Sequence, residues 1–162
     1  MGEEKFINEN YGKNFQSHLL EQYKLFVHTS LQVTSKRLEA NKFHLTLNSV
    51  IFTLASYMTA INQHTIIILF SAVGILISCV WRRSIDAYRE LNKGKFKVIH
   101  ELEAYLPARL FKWEEVQCLK RYHGLTSAEK YYPIIFIILY AIVIAINVAL
   151  LLYSRFVPVV DP

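Results

Sequence analysis

The longest uncharged stretch of the chain is residues 43–81, which read FHLTLNSVIFTLASYMTAINQHTIIILFSAVGILISCVW. It has basic residues on both flanks. One membrane span needs ~20 apolar residues, so this stretch is too long for one crossing and about right for two. The polar triplet at 62–64, Asn-Gln-His, divides the stretch and has the composition of a turn. The sequence therefore predicts two antiparallel transmembrane helices, Phe43–Ile61 and Thr65–Trp81.

A second uncharged stretch, residues 131–154, is rich in Ile, Leu, Val and Ala and predicts a third span. Hydrocarbon offers no hydrogen-bond partners to the backbone, so helices are the default spanning structure. We expect an all-α integral membrane protein with a single membrane domain. Its predicted parts are an N-terminal cytoplasmic helix (1–42), a transmembrane hairpin (43–81), a cytoplasmic helical segment (82–130), a third transmembrane helix (131–154) and a tail (155–162).

The distribution of Lys and Arg predicts the orientation. The segment 82–130 carries eleven of them, the segment 1–42 carries six, and the turn at 62–64 carries none. The positive-inside rule then places the N-terminus and residues 82–130 in the cytoplasm and the turn outside. The net charge of +5 is explained by these flanks facing anionic lipid headgroups. We expect both cysteines, Cys79 and Cys118, to be reduced.

Residues 13–61 contain no Pro or Gly, so the N-terminal helix and the first span can form one continuous rod. Apolar residues recur every seven positions along it. This row predicts a helix that packs either on its own subunit or on a neighbouring copy. Its members are Leu19, Phe26, Val33, Ala40 and Leu47.

Small and polar residues mark one face of each predicted span. In the first span, hydroxyl residues spaced by three or four predict either close helix packing or the lining of a wet pore: Thr46, Ser49, Thr53 and Ser56. Asn48 lies off this stripe, and we expect it to cap a helix or to bond to a neighbour. The second span has a looser small-residue face at 71, 74 and 78, and the third has alanines at 141, 145 and 149. Asn147 in the third span predicts an interhelical hydrogen bond.

The cytoplasmic segment reads as several short helices. Asn92-Lys93-Gly94 predicts a break after the second span, because Asn and Gly tolerate the left-handed cap conformation. A helix from Lys95 to Leu106, ended by Pro107, and another from Lys112 to Tyr122 follow. Thr126–Glu129 has the pattern of a capping box that starts the third span.

No motif of catalysis or cofactor binding stands out. His100 and Glu103 share a helix face, but two such ligands do not make a metal site. Arg37 and His44 satisfy the loose Arg–His spacing of HEPN ribonucleases, yet they lie where the helix enters the membrane, a poor position to reach RNA. The basic cluster around Phe96 favours headgroup contact over RNA stacking. We therefore expect no enzyme, no cofactor, no metal and no direct binding of nucleic acid.

The segment after the hairpin resembles a known pattern. It has Tyr88-Arg89-x-Leu-Asn92, then Lys95-Phe-x-Val-Ile, Leu-Glu103 and Leu-Pro107, and upstream Ala40-Asn-Lys-Phe precedes Leu-Thr-Leu-Asn48. Together these stretches, within residues 20–115, resemble the RipA-like family of small bacterial membrane proteins. The resemblance implies an octamer in the bacterial cytoplasmic membrane. The family is similar to a pore-forming CRISPR accessory protein that works with an RNA-guided RNase in phage defence, and a namesake is linked to envelope homeostasis and growth inside host cells.

Two functions follow as hypotheses. The first is an octameric pore or chamber gated by a cytoplasmic effector or by stress. The second is a non-conducting scaffold that regulates envelope or lipid-synthesis enzymes through residues 82–130. In both, we expect five residues to fix a cytoplasmic collar and its subunit contacts, with Arg89 pairing Glu103 or lipid headgroups and Asn92 capping a helix: Tyr88, Arg89, Asn92, Lys95 and Glu103.

Overall fold

The protein is a bundle of long antiparallel helices. A computed structural model describes residues 11–117 and 129–156. Helix α1 spans Phe15–Ala60, α2 spans His64–Glu103, α3 begins at residue 110 and is described up to 117, and α4 spans Tyr131–Phe156. At 1.5 Å per residue, α1 is about 69 Å long and α2 about 60 Å. The prediction of an all-helical chain with one continuous N-terminal rod is confirmed over these residues.

The turn between α1 and α2 lies where the polar triplet predicts it. Asn62 adopts a positive φ of 55°, a left-handed conformation that Asn tolerates better than most residues. Gln63 donates its backbone N–H to the Met58 carbonyl at 3.2 Å, which closes the turn. The chain therefore reverses within three residues, and α2 returns along α1.

Four side-chain hydrogen bonds fix the register of this hairpin along the half that lies away from the turn. They join Asn48 to Ser78, Asn41 to Trp81, Thr29 to Lys95 and Tyr23 to Glu103. The apolar row that begins at Leu19 is buried or half-buried in the chain itself, so it packs on its own subunit. Packing on its own subunit is thus confirmed, and contact of this row with a neighbouring copy stays a prediction.

Helix α4 covers the half of the hairpin near the turn and runs antiparallel to α2. Lys130 lies beside Asp86 at its start, and Asn147 reaches His64 at the level of the turn. Residues 148–156 then continue about 13 Å beyond the turn. Pro133 is buried in the first turn of α4, where its missing N–H leaves no intrahelical bond unmade.

Two of the described helices are long and apolar enough to cross a membrane, namely α2 (His64–Glu103) and α4 (Tyr131–Ser154). α1 is not one of them, because its uncharged half contains His44, Asn48 and a series of hydroxyl residues. The crossing of the membrane by α1 therefore remains a prediction, although α1 lies against α2 throughout.

The structure corrects the predicted ends of the cytoplasmic helices. The break at 92–94 is wrong, because α2 continues through these residues to Glu103. Ile99 and Leu102, beyond the predicted break, are buried, and this packing outweighs the local preference of Asn and Gly. The predicted helix Lys112–Tyr122 is present from residue 110, and its end lies outside the described residues. So does most of the predicted capping box, Thr126–Glu129, of which only residue 129 is described, within the turn that leads into α4.

Candidate functional site

The hydroxyl stripe of α1 faces away from the rest of the chain. Its four members, Thr46, Ser49, Thr53 and Ser56, are all exposed. Ser49 and Thr53 donate to the backbone carbonyls four residues earlier, each at 2.9 Å, and Ser56 does so at 2.8 Å. These bonds use the hydroxyl hydrogens and leave oxygen lone pairs on the surface. The stripe therefore takes no part in packing within the subunit, and contact between copies or the lining of a pore remains.

The opposite face of α1 carries the polar junction that joins three helices. Asn48 is fully buried, and its Oδ1 accepts a hydrogen bond from Ser78 Oγ of α2 at 2.9 Å. Its backbone carbonyl accepts a hydrogen bond from Tyr140 Oη of α4 at 2.9 Å. Of the two roles that the sequence predicts for Asn48, a cap or a bond to a neighbour, the bond is confirmed. The role of Tyr140 was missed, although the small residue at position 74 marks the space it occupies.

α4 packs on the small-residue face of α2. Ser71, Gly74 and Ser78 are all buried, and the Tyr140 ring lies directly over Gly74. The alanines of α4 at 141, 145 and 149, in contrast, are exposed, so they make no seam within the subunit. Asn147 Oδ1 accepts a hydrogen bond from His64 Nδ1 at 2.8 Å, which confirms the predicted interhelical bond. Because the amide oxygen can only accept, this nitrogen of His64 carries the hydrogen.

Aromatic stacking and ion pairs join the helices where the basic segments begin. Trp81 is buried between the rings of His44 and Tyr132 and donates Nε1–H to Asn41 at 3.0 Å. Arg37 Nη2 of α1 lies 3.7 Å from Oε1 of Glu129, which precedes α4. Lys130 Nζ lies 3.0 Å from Asp86 Oδ1, and the ammonium group lowers the pKa of the Asp86 carboxyl. Both Arg37 and His44 are thus placed in contacts between helices, and nuclease activity has no further support.

Glu103 anchors the cytoplasmic end of the molecule. It is fully buried and accepts hydrogen bonds from the backbone N–H groups of Phe111 at 2.8 Å and Lys112 at 3.1 Å. These are among the first N–H groups of α3, which have no partner inside their own helix, and the positive end of a helix dipole favours a carboxylate. Tyr23 Oη of α1 donates to the same carboxylate at 3.1 Å. Burial and then the hydrogen bond and charge of Glu103 raise the pKa of Tyr23 to about 12.

Of the other predicted collar residues, Lys95 and Tyr88 lie beside α1. Arg89 and Asn92 lie within α2 and do not have the roles predicted for them inside the chain. Lys95 contacts α1, because its Nζ donates to Thr29 Oγ1 at 3.0 Å and lies 4.7 Å from the centre of the Phe26 ring. Tyr88 lines a shallow groove together with Lys95. Arg89 does not pair with Glu103, since fourteen residues along one straight helix separate them by about 21 Å. Asn92 caps no helix end, because it lies inside α2.

The described residues contain no group of side chains that could hold a metal ion. His100 contacts Glu115, with His100 Nδ1 3.4 Å from Glu115 Oε2, whereas Glu103 is occupied by α3 and Tyr23. Cys79 is a free, exposed thiol, and Cys118 lies outside the described residues. The absence of a cofactor and of enzymatic activity stay predictions.

Comparison with known proteins gives one finding. The model of a family described as the octameric membrane protein family (8xMP) matches residues 20–149, from the first turns of α1 to near the end of α4. No curated protein and no solved structure matches the chain significantly.

Proposed function

The chain belongs to the octameric membrane protein family, and from this we propose that eight copies form a ring around a central pore or chamber in the bacterial cytoplasmic membrane. The observation that carries the proposal is the exposed hydroxyl stripe of α1. It places four exposed hydroxyl side chains on one outward face of a helix segment that has no charged residues.

The two outer helices of the subunit differ in what they expose. α4 exposes large apolar side chains such as Ile138, Ile142 and Ile146, and it contains no charged residue from 131 to 154. Such a surface is stable against lipid tails. The hydroxyl stripe of α1 keeps lone pairs that lipid cannot satisfy and water can. In a closed ring the lowest free energy therefore places α4 outside, against lipid, and α1 inside, toward the axis.

We propose that the N-terminus and residues 82–130 are cytoplasmic. The seventeen Lys and Arg residues of these two segments and the absence of any in the turn support this orientation. α4 begins beside Asp86 and ends beyond the turn, which supports a third span whose end at Phe156 is on the opposite side of the membrane.

The resemblance to RipA-like proteins supports a gated pore opened from the cytoplasm by an effector or by stress, in phage defence or in envelope homeostasis. A CRISPR array next to the gene would favour defence. A gene neighbourhood of envelope or lipid-synthesis enzymes would favour the second setting.

Cysteine accessibility tests the position of the stripe. In a chain with Cys79→Ser and Cys118→Ser, single cysteines at Ser49 and Thr53 are compared with a control cysteine at Ile142. We expect a membrane-impermeant thiol reagent to label the α1 positions in liposomes and to reduce ion flux, and to leave Ile142→Cys unlabelled. A ring that conducts no ions under any trigger, with both α1 positions unreactive, would overturn the pore and support a non-conducting scaffold.

A further inference from the structure

Helix α3 presents an apolar face to its surroundings. Leu110 and Trp113 are each 69% exposed and Val116 is 64% exposed, and a spacing of three residues places them together along one side. α3 itself is fixed to the subunit, because Glu103 binds its first N–H groups and Phe111 packs on Phe96 with 6.0 Å between ring centres. The exposed face is therefore held in place, and among residues 11–117 and 129–156 it has no packing partner.

Lipid does not cover this face. α2 runs twenty-two residues from Trp81, at the edge of the uncharged stretch, to Glu103. This length corresponds to about 33 Å, so α3 lies far from the hydrocarbon in the proposed orientation. An apolar face of this kind in water marks a protein contact.

A second apolar surface lies at the same height on α1. Leu20 is 41% exposed and Leu31 is 63% exposed, and with Lys24 and Val27 they follow the helical spacing of four, three and four along one side. The bond of Tyr23 to Glu103 fixes this α1 surface beside the start of α3. It lies roughly a quarter of a turn around α1 from the face that packs within the subunit, where Leu19 and Ser30 are buried.

A ring requires two different surfaces on each copy, because every contact in it is head-to-tail. Both surfaces must also lie at the same height along the ring axis. The α3 face and the Leu20–Leu31 surface meet these conditions. Exposed Lys112 and Glu114 flank Trp113, and exposed Lys24 lies between the leucines, so Glu114 is available to pair with Lys24 of the next copy.

We propose that α3 of each copy packs on the Leu20–Leu31 surface of the next copy and closes the cytoplasmic part of the ring. This inference rests on the proposed octamer. It assigns the subunit contact to Leu110, Trp113 and Val116 on one side and to Leu20 and Leu31 on the other.

Cross-linking between two differently tagged chains tests the contact. Both chains lack the native cysteines; one carries Leu20→Cys and the other Trp113→Cys, and they are co-expressed in membranes. We expect a bifunctional maleimide to give a heterodimer that contains both tags. The matched control replaces Trp113→Cys by Glu101→Cys, an exposed position on α2, and should give none.

Trp113→Glu and Trp113→Phe provide the second arm. We expect the glutamate variant to shift the octamer toward smaller species by native mass spectrometry and the phenylalanine variant to keep it, with equal helicity in both. An intact octamer that gives no heterodimer, or quenching of Trp113 by brominated lipid, would overturn the contact and leave the octamer standing. A wild-type chain that is monomeric in membranes would overturn the contact and the proposed ring together.

Discussion

The ring of Tyr140 lies directly over Gly74, so that a Cβ atom at position 74 would overlap it. Gly74→Ala should therefore force α4 away from α2 and weaken the bond of Tyr140 to the Asn48 carbonyl. Overpacking of this kind costs roughly 1–3 kcal/mol. The measurement is the midpoint of denaturation in detergent, with helicity as the signal. The midpoint of Gly74→Ala should lie at a lower denaturant concentration than that of the wild type. An unchanged midpoint would show that α4 is not seated at this position.

Gly94 provides the matched comparison. It lies inside α2, and a Cβ there would meet no atom within 4 Å. Gly94→Ala should stabilise the chain by about 0.5–1 kcal/mol, because Ala loses less backbone entropy in a helix. The same denaturation experiment should move in the opposite direction to Gly74→Ala. Destabilisation by Gly94→Ala would indicate a bend or a break of α2 at this residue.

The sequence predicts the regular parts of this fold because their signals are local. An uncharged stretch of double length predicts the hairpin, the polar triplet predicts its turn, and helical spacing places the four hydroxyl residues on one face. The local sequence does not predict that α2 continues as one helix to Glu103. Asn92 and Gly94 are poor helix formers, and only the packing of residues beyond them, such as Ile99, keeps the helix intact.

The site depends on contacts between residues distant in sequence, and a single sequence does not reveal these. Glu103 bonds to Tyr23, eighty positions away, whereas the sequence predicts Arg89 as its partner. The free N–H groups at the start of α3 reach Glu103 only because of the path of the loop after α2, and the sequence does not reveal that path. The sequence shows that the four hydroxyl residues share one helix face. It does not show whether that face packs on its own chain or is exposed.

Glu103→Gln tests the anchor of α3. The amide has one acceptor oxygen instead of two, so it cannot accept from both Phe111 and Lys112 without turning its NH₂ group toward one of them. Hydrogen bonds to a charged group contribute about 1.5–3 kcal/mol. We expect faster hydrogen exchange of these two amides. Glu101→Gln, an exposed position on the same helix, should leave the exchange unchanged; equal exchange in both variants would contradict the anchor.

The raised pKa of Tyr23 predicts that the folded chain loses stability at high pH. Its pKa rises from 10.0 to about 12 in the folded chain through burial and the Glu103 carboxylate. The folded state therefore favours the neutral phenol, and this contribution is complete below pH 10 and disappears as pH rises through about 12. The difference in tyrosinate absorbance between the wild type and Tyr23→Phe should titrate near 12. A midpoint at the ordinary value of 10 would show that Glu103 does not hold this hydroxyl.

The bond between His64 and Asn147 joins α4 to the turn of the hairpin. A double-mutant cycle of His64→Ala and Asn147→Ala should give a coupling free energy of about 0.6 kcal/mol, and at most ~1.7, as for other hydrogen bonds between membrane helices. The control cycle pairs Asn147→Ala with Ser78→Ala, which lies fourteen residues from His64 along α2 and should be additive within ~0.5 kcal/mol. Both cycles are measured by denaturation in detergent. If the His64 cycle is as additive as the control, α4 is held to the hairpin by Tyr140 and the aromatic contacts of Trp81 without help from the turn.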